Sequence, residues 1–178
     1  MKIVVLTGSP REKGASFALT ERFIEGAKSA GHTVERFDAA DLKLHPCRAC
    51  GYCRRMDEQC IQKDAMEEIK PAVKNADAVV FVTPTYYFGI CAQLKMVIDR
   101  FYAFGNSIKN TGKKSALIVT SASEGEHITA GIRENYRGIC EYLGLENRGE
   151  IYAQGVANRE DLDNTGYLGQ AYKLGMEM

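Results

Sequence analysis

The sequence predicts a doubly wound α/β domain built on a five-stranded parallel sheet, and three observations predict it. Short runs rich in Val, Ile and Leu recur along the chain, each ending in a loop of Gly, Ser, Thr or Pro. Between those runs, apolar residues repeat at helical rather than alternating spacing. The 178 residues also suffice for a single domain, one that buries roughly 70% of the surface its unfolded chain exposes.

Taken in order, Lys2 to Thr7 (KIVVLT) is a β-branched run that stops at Gly8-Ser9-Pro10, which reads as a buried strand entering a loop. Leu19, Phe23 and Ala27 then share one helical face until Gly31 stops the helix, and Thr33 to Phe37 forms a second strand. A cysteine-rich loop over 45–62 follows. Asp64 opens the next helix, with Glu67 placed to complete a capping box. Ala78 to Val82 (AVVFV) is the third strand, ending at Thr83-Pro84-Thr85, and Ile90, Leu94, Val97, Ile98 and Phe101 mark a helix after it. Ser115 to Thr120 (SALIVT) is the fourth strand, Ile128, Ile132, Ile139 and Leu143 another amphipathic helix, and Glu150 to Ala153 the fifth strand before a polar helical tail. Parallel neighbours need crossover connections, so helices should cover both faces of the sheet.

Composition narrows the function. The 23 basic and 23 acidic side chains cancel and no Lys/Arg cluster stands out, which argues against nucleic acid or an anionic membrane as partner. The opening apolar run, Ile3 to Leu6, is too short for a signal peptide or a membrane span. The expected location is cytoplasmic, where clustered cysteines bind metal or do redox work more often than they form disulfides.

Ligands of doubly wound sheets bind beyond the carboxyl ends of the strands. The loop after the first strand, TGSPREKGASFALT, offers the hydroxyls of Ser9 and Ser16, the guanidinium of Arg11 and the unpaired amides of a helix start. Together they suit one phosphate. The loop has neither a GxGxxG fingerprint nor a Walker Gly-Lys-Ser/Thr ending. Ser9, Pro10 and Gly14 would equally make a simple turn, and Ser16 a simple helix cap. After the third strand, TPTYYFG supplies Pro84, Thr85, Tyr86, Tyr87, Phe88 and Gly89, a stiff turn with flat apolar surface for a planar ring system. After the fourth, Thr120, Ser121 and Ser123 are small and polar enough to approach a ligand edge, while His127 beyond them is a weak candidate proton donor.

GSPR followed by Gly14 and Ser16, then PTYYFG followed by LKMVIDR (Leu94 to Arg100), resembles the flavodoxin-like NAD(P)H-dependent FMN reductase family. With its cysteines, the chain resembles the iron-sulfur flavoprotein branch of that family. The resemblance implies strand order 2-1-3-4-5. It also implies an FMN phosphate on Ser9, Arg11 and Ser16, an isoalloxazine lined by Pro84 to Gly89, and Thr120 to Ser123 nearby. Where relatives have Asn-Thr or Ser-Thr, this chain has Ala15-Ser16. Lys95, Asp99 and Arg100 fit the family pattern, and we read Asp99 and Arg100 as structural charges. Relatives close the flavin site with a neighbouring subunit, so a homodimer or homotetramer is expected, with the cysteine loop and Tyr86 to Phe88 near the contact.

Four of the six cysteines lie within CRACGYCRRMDEQC, as Cys47, Cys50, Cys53 and Cys60. The spacing C-x2-C-x2-C-x6-C can wrap a 4Fe-4S cluster. Gly51 would relieve crowding, and Arg48, Arg54 and Arg55 would offset the cluster's charge. A zinc site more often pairs two separated C-x2-C knuckles. A metal-free loop that shapes the pocket or a subunit contact is the other reading. Cys91 and Cys140 sit in helical patterns and read as packed small hydrophobes.

The function expected is an FMN-dependent oxidoreductase passing electrons from a reduced donor (NADH, NADPH or a reduced ferredoxin) to an acceptor through the cluster. A cluster-free NAD(P)H-dependent reductase is the alternative, and a non-enzymatic flavodoxin-like carrier is a second one, disfavoured by the zero net charge. No catalytic protein residue is expected, because the flavin carries the chemistry.

Overall fold

The sheet has the strand order β2-β1-β3-β5-β6, all parallel, and it forms as the β-branched runs require. A computed structural model describes residues 1–178 and gives β1 as Lys2–Thr7, β2 as Thr33–Asp38, β3 as Ala78–Tyr86, β4 as Gly89–Ile90, β5 as Lys114–Thr120 and β6 as Glu146–Ala153. Counted over the five parallel strands, this is the order 2-1-3-4-5 of the flavodoxin-like fold. The helices are α1 (Ala15–Ser29), α2 (Tyr52–Arg55), α3 (Met66–Asn75), α4 (Ala92–Arg100), α5 (Gly105–Ile108), α6 (Glu126–Leu143) and α7 (Tyr167–Met176).

Alternation along each strand divides the interior in two. Val4, Leu6, Phe81, Leu117 and Val119 face a core closed by Ile69 and Val73 of α3, Leu94 and Val97 of α4, and Ile132 and Tyr136 of α6. Ile3, Val5, Val80, Val82 and Ile118 face the opposite core, under Leu19 and Phe23 of α1 and Ala171 and Leu174 of α7. Each such side chain contributes about 1.5–3 kcal/mol when fully buried, so a strand buried on both faces is held from both sides at once.

Three expectations need correction. The third strand does not stop at Val82 but runs on through Pro84, Thr85 and Tyr86, because β4 pairs back on it as an antiparallel hairpin, Thr85 opposite Ile90 and Tyr86 opposite Gly89. The capping box does not form. The Glu67 side chain turns outward to Lys63 at 2.9 Å, and the Asp64 carboxylate is drawn inward to Arg100. The tail is helical, as expected, yet α7 is not polar all round: Ala171, Leu174 and Gly175 are buried against α1.

That last contact depends on two glycines. A Cβ on Gly26 would fall on the Tyr172 carbonyl, and one on Gly175 would fall on the Phe23 carbonyl oxygen and lie 2.8 Å from the Ala27 amide nitrogen. Backbone on backbone leaves no flexible atom to yield. Gly175→Ala should therefore destabilise the protein by about 1–3 kcal/mol despite alanine's better helix propensity. A thermal midpoint at or above that of the wild type would contradict the packing.

Candidate functional site

The carboxyl ends of β1, β3 and β5 open on a crevice of about 170 Å³. The chain leaves β1 through Gly8, which must be glycine because an added Cβ would meet the Cys91 thiol and lie 2.7 Å from Leu94 Cβ. It then turns through Ser9 and Arg11, with the Ser9 hydroxyl accepting the Arg11 amide at 3.2 Å. The turn re-enters the fold at α1, whose first-turn amides have no carbonyl one turn back to bond. This amide-rich end carries the positive pole of a fifteen-residue helix.

Of the residues picked from sequence, the crevice gathers Ser9, Arg11, Ser16, Pro84, Thr85, Tyr86, Thr120 and Ser121. Ser16 is not a helix cap, since α1 has no side-chain cap. It is buried, with Oγ 2.7 Å from Thr120 Oγ1, which ties the start of α1 to the end of β5. Only one proton is used between those two hydroxyls, so the second stays free to donate. Thr85 Oγ1 is buried with no partner at all, an orphaned hydroxyl in the wall of the crevice. Buried polar atoms are nearly always satisfied, and an exception in a crevice is a place for a ligand atom.

Four predicted residues stand apart. Tyr87, Phe88 and Gly89 are at the hairpin tip beyond the crevice, and Ser123 only lends its carbonyl to the Ser121 hydroxyl at 2.8 Å. Tyr87 and Phe88 form a two-residue turn in which both have positive φ, 46° and 63°. Such turns normally use Asn-Gly, because side chains with a Cβ pay for the left-handed conformation. Tyr86, Tyr87 and Phe88 are 41%, 100% and 55% exposed, so the strained tip holds an aromatic lip out in solvent. Strain kept at a functional edge is the common pattern. Tyr87→Gly should raise unfolding free energy by about 0.5–1 kcal/mol through strain relief. A lower thermal midpoint would show that the tyrosine side chain contributes to the isolated fold.

The far wall was not anticipated. Val156 and Ala157, after β6, complete the crevice, and the Ala157 carbonyl accepts Arg11 Nη1 at 3.2 Å. The Asp161 carboxylate shapes this turn by accepting the amides of Ala157 and Asn158 at 2.9 and 2.7 Å. The topological rule that drew attention to the other loops applies here too, and it was the only signal available. His127 lies outside the crevice, near the Phe88 ring at 6.3 Å between centroids. The lining contains no carboxylate, histidine or lysine, so it offers binding and orientation rather than acid-base chemistry.

The cysteine segment forms a separate region. Cys47 and Cys50 are exposed, Cys53 rides on α2, and Cys60 follows a turn. All six cysteines are free. No three of the chain's His, Cys, Asp and Glu side chains gather as a metal site. Cys60 and Arg100 line a hollow of about 270 Å³ to which Lys63 and Lys70 also contribute. Of the arginines expected to balance charge there, Arg54 stacks on the Tyr102 ring at 4.3 Å. Arg100 itself is structural, as read, but far more buried than its surface neighbour Asp99, which pairs with Lys95. Cys91 and Cys140 are packed as expected, and burial pushes both thiols up, which keeps them protonated. No helix is long and apolar enough to cross a membrane.

Comparison with known proteins places these features in context. Residues 1–152 match the family model described as NADPH-dependent FMN reductase. An iron-sulfur flavoprotein of Archaeoglobus fulgidus is 34% identical over 126 residues, covering 71% of this chain and 57% of its own length. An iron-sulfur flavoprotein of Methanocaldococcus jannaschii is 30% identical over 131 residues, covering 72% and 67%. The chain thus aligns with little more than half of the first relative. Among solved structures, an NAD(P)H:quinone oxidoreductase from Methanothermobacter marburgensis superposes with TM-score 0.76 at 22% identity, covering 99% of this chain and 96% of that one.

Proposed function

Because the chain belongs to the NADPH-dependent FMN reductase family, we propose that it is a flavin-dependent oxidoreductase that binds FMN in the crevice and exchanges electrons between a reduced donor such as NAD(P)H and an acceptor. One observation carries the reading: phosphate-type donors and an orphaned Thr85 hydroxyl converge at the carboxyl ends of β1, β3 and β5. The crevice is below the 300–1,000 Å³ of pockets that enclose a whole drug-sized ligand. It suits the anionic end and side chain of a mononucleotide, with the aromatic lip beyond it for the ring.

Bound FMN would supply one- and two-electron transfer chemistry that no side chain here offers. Ser9, Arg11, Ser16 and the first-turn amides of α1 would hold its phosphate, as charge-assisted donors facing a dianion. The Thr85 hydroxyl is free to satisfy a polar atom of the ligand, and Pro84 and Tyr86 exclude water from one side. Thr120 and Ser121 border the other. The exposed lip of Tyr87 and Phe88 supports closure by a second copy of the chain, and a monomeric mass in light scattering at micromolar concentration would argue against that.

Cys47, Cys50, Cys53 and Cys60 are proposed as ligands of a 4Fe-4S cluster that connects the flavin to its acceptor. The donor set fits: four reduced thiols on one closed loop are the usual ligands of such a cluster. The names of the curated relatives support it. Since the thiols are not gathered as they stand, the segment from Cys47 to Cys60 has to tighten locally around its ligand. The same observation favours, as second reading, a cluster-free NAD(P)H-dependent reductase. Anaerobic purification with a visible spectrum and an iron and sulfide count separates the two. One FMN and about four iron per chain is the expected result. Flavin without iron leaves the second reading, and neither flavin nor iron refutes both.

A further inference from the structure

Asp64 and Arg100 form a buried ion pair that lies outside the crevice. Their side chains are 0% and 2% exposed, and the pairing is bidentate, Nη1 to Oδ2 at 2.7 Å and Nη2 to Oδ1 at 3.2 Å. Taking two charges out of water costs several kcal/mol per ion and is recovered only if their remaining hydrogen-bonding capacity is satisfied. The backbone at both ends of the cysteine segment supplies that satisfaction. At the entrance, Arg100 Nη1 donates to the His45 carbonyl at 2.9 Å, and the His45 amide donates to Asp64 Oδ2 at 3.1 Å. At the exit, the Met66 amide donates to Asp64 Oδ1 at 3.1 Å. Two further ties cross the same base: Gln62 Nε2 to the Pro46 carbonyl and the Ala65 amide to the Lys43 carbonyl, both at 3.1 Å.

Above this base the segment is lightly held. Ala49, Gly51, Asp57 and Glu58 all have positive φ, and between Cys47 and Cys60 the segment is held to its surroundings by Glu58, to Lys70 and Lys74, and by Arg54 stacked on Tyr102, with the exposed Lys63–Glu67 pair at its exit. A fixed base with an adaptable tip is what a loop needs if it must close around a ligand without first closing its own ends. The ordering entropy of loop closure is then met during folding and not at binding. Arg100 is also the last residue of α4, whose N-terminus follows directly on the hairpin at the crevice. The base is therefore fixed to the same rigid element that leaves the proposed flavin site.

We propose that Asp64 and Arg100 are positioning residues: their ion pair closes the base of the 45–64 segment and holds Cys47, Cys50, Cys53 and Cys60 in reach of one shared ligand. The proposal rests on the cluster reading above for the identity of that ligand, but the clamp can be tested without it.

The test uses the full chain as wild type, Arg100→Gln and Arg100→Lys. In metal-free protein, alkylation of each cysteine is followed by mass spectrometry. After anaerobic reconstitution with ferrous iron and sulfide, iron loss to a chelator is timed. In Arg100→Gln, Cys60 and Cys53 should alkylate about tenfold faster or more, as a local opening responds to an unpaired buried charge, while Cys91 and Cys140 stay protected. Iron should leave about tenfold faster with FMN affinity unchanged, and Arg100→Lys should fall between, since an ammonium keeps the charge but not the fork. Unchanged rates at Cys60 and Cys53 overturn the clamp, as does alkylation of Cys60 and Cys53 no faster than that of Cys91 and Cys140 in the same variant, since the cysteine segment would then open only together with the whole fold. If Arg100→Gln does not fold, Arg100→Lys carries the comparison. If the wild type takes up no iron, the cluster reading fails and the alkylation pattern still decides the clamp.

Discussion

Asp64→Ala lowers the free energy of unfolding by about 3–5 kcal/mol at neutral pH, read from urea denaturation of the metal-free protein. The magnitude follows from what is left behind: a guanidinium out of solvent that has lost its counter-charge, with the His45 and Met66 amides losing their acceptor. The same pair sets a pH dependence. Burial opposes ionisation of Asp64, but hydrogen bonds from Arg100 and from the Met66 and His45 amides outweigh it and hold the carboxyl below its ordinary value. A depressed folded-state pKa stabilises fully above the unfolded value of about 3.9, and the contribution is lost as pH falls through the folded value. Stability of the wild type should therefore drop below about pH 4, and the profile of Asp64→Asn should be flatter across that window. Equal slopes would mean that Asp64 is not ionised in the folded protein.

Arg11→Ala weakens FMN binding by about 10- to 100-fold, the range expected for one hydrogen bond to a charged group, while riboflavin binding is unchanged. The two flavins differ only in the phosphate, so the ratio isolates the phosphate loop from the aromatic lip. Flavin fluorescence titrations of both variants supply the four constants needed. Arg11 is exposed and its side chain's one hydrogen bond within the protein is to the Ala157 carbonyl, so truncating it should leave the thermal midpoint within experimental scatter. Equal loss for FMN and riboflavin would place the phosphate elsewhere.

The sequence announced more of the site than of its support. Ser9, Arg11, Thr85 and Thr120 were legible as candidates because each lies at or just beyond the carboxyl end of one of the five parallel strands, which all point the same way. Tyr87 and Phe88 were expected to line a pocket for a planar ring, whereas the fold carries them beyond the crevice on an exposed hairpin tip. Nothing in TPTYYFG signals a two-residue hairpin, because that turn ordinarily requires Asn or Gly where this chain has two aromatics. The Ala157 wall was missed for a different reason: a short polar stretch after a last strand carries no chemistry of its own until the fold brings it to Arg11.

What the chain alone determined was its periodicity, and with it the strands, the two-sided burial of the sheet and the grouping of four thiols on one loop. These are local properties, since whether a residue repeats at two or at three and a half positions is written in its immediate neighbours. The partner of Asp64 was decided only by tertiary structure. Glu67, three residues away, was the nearer candidate for a role at that helix start, yet the Asp64 carboxylate pairs with a guanidinium 36 residues on and takes the Met66 amide as well, because the fold closes over both charges and leaves each to compensate the other. Charges choose partners by the dielectric they end up in, and only packing sets that.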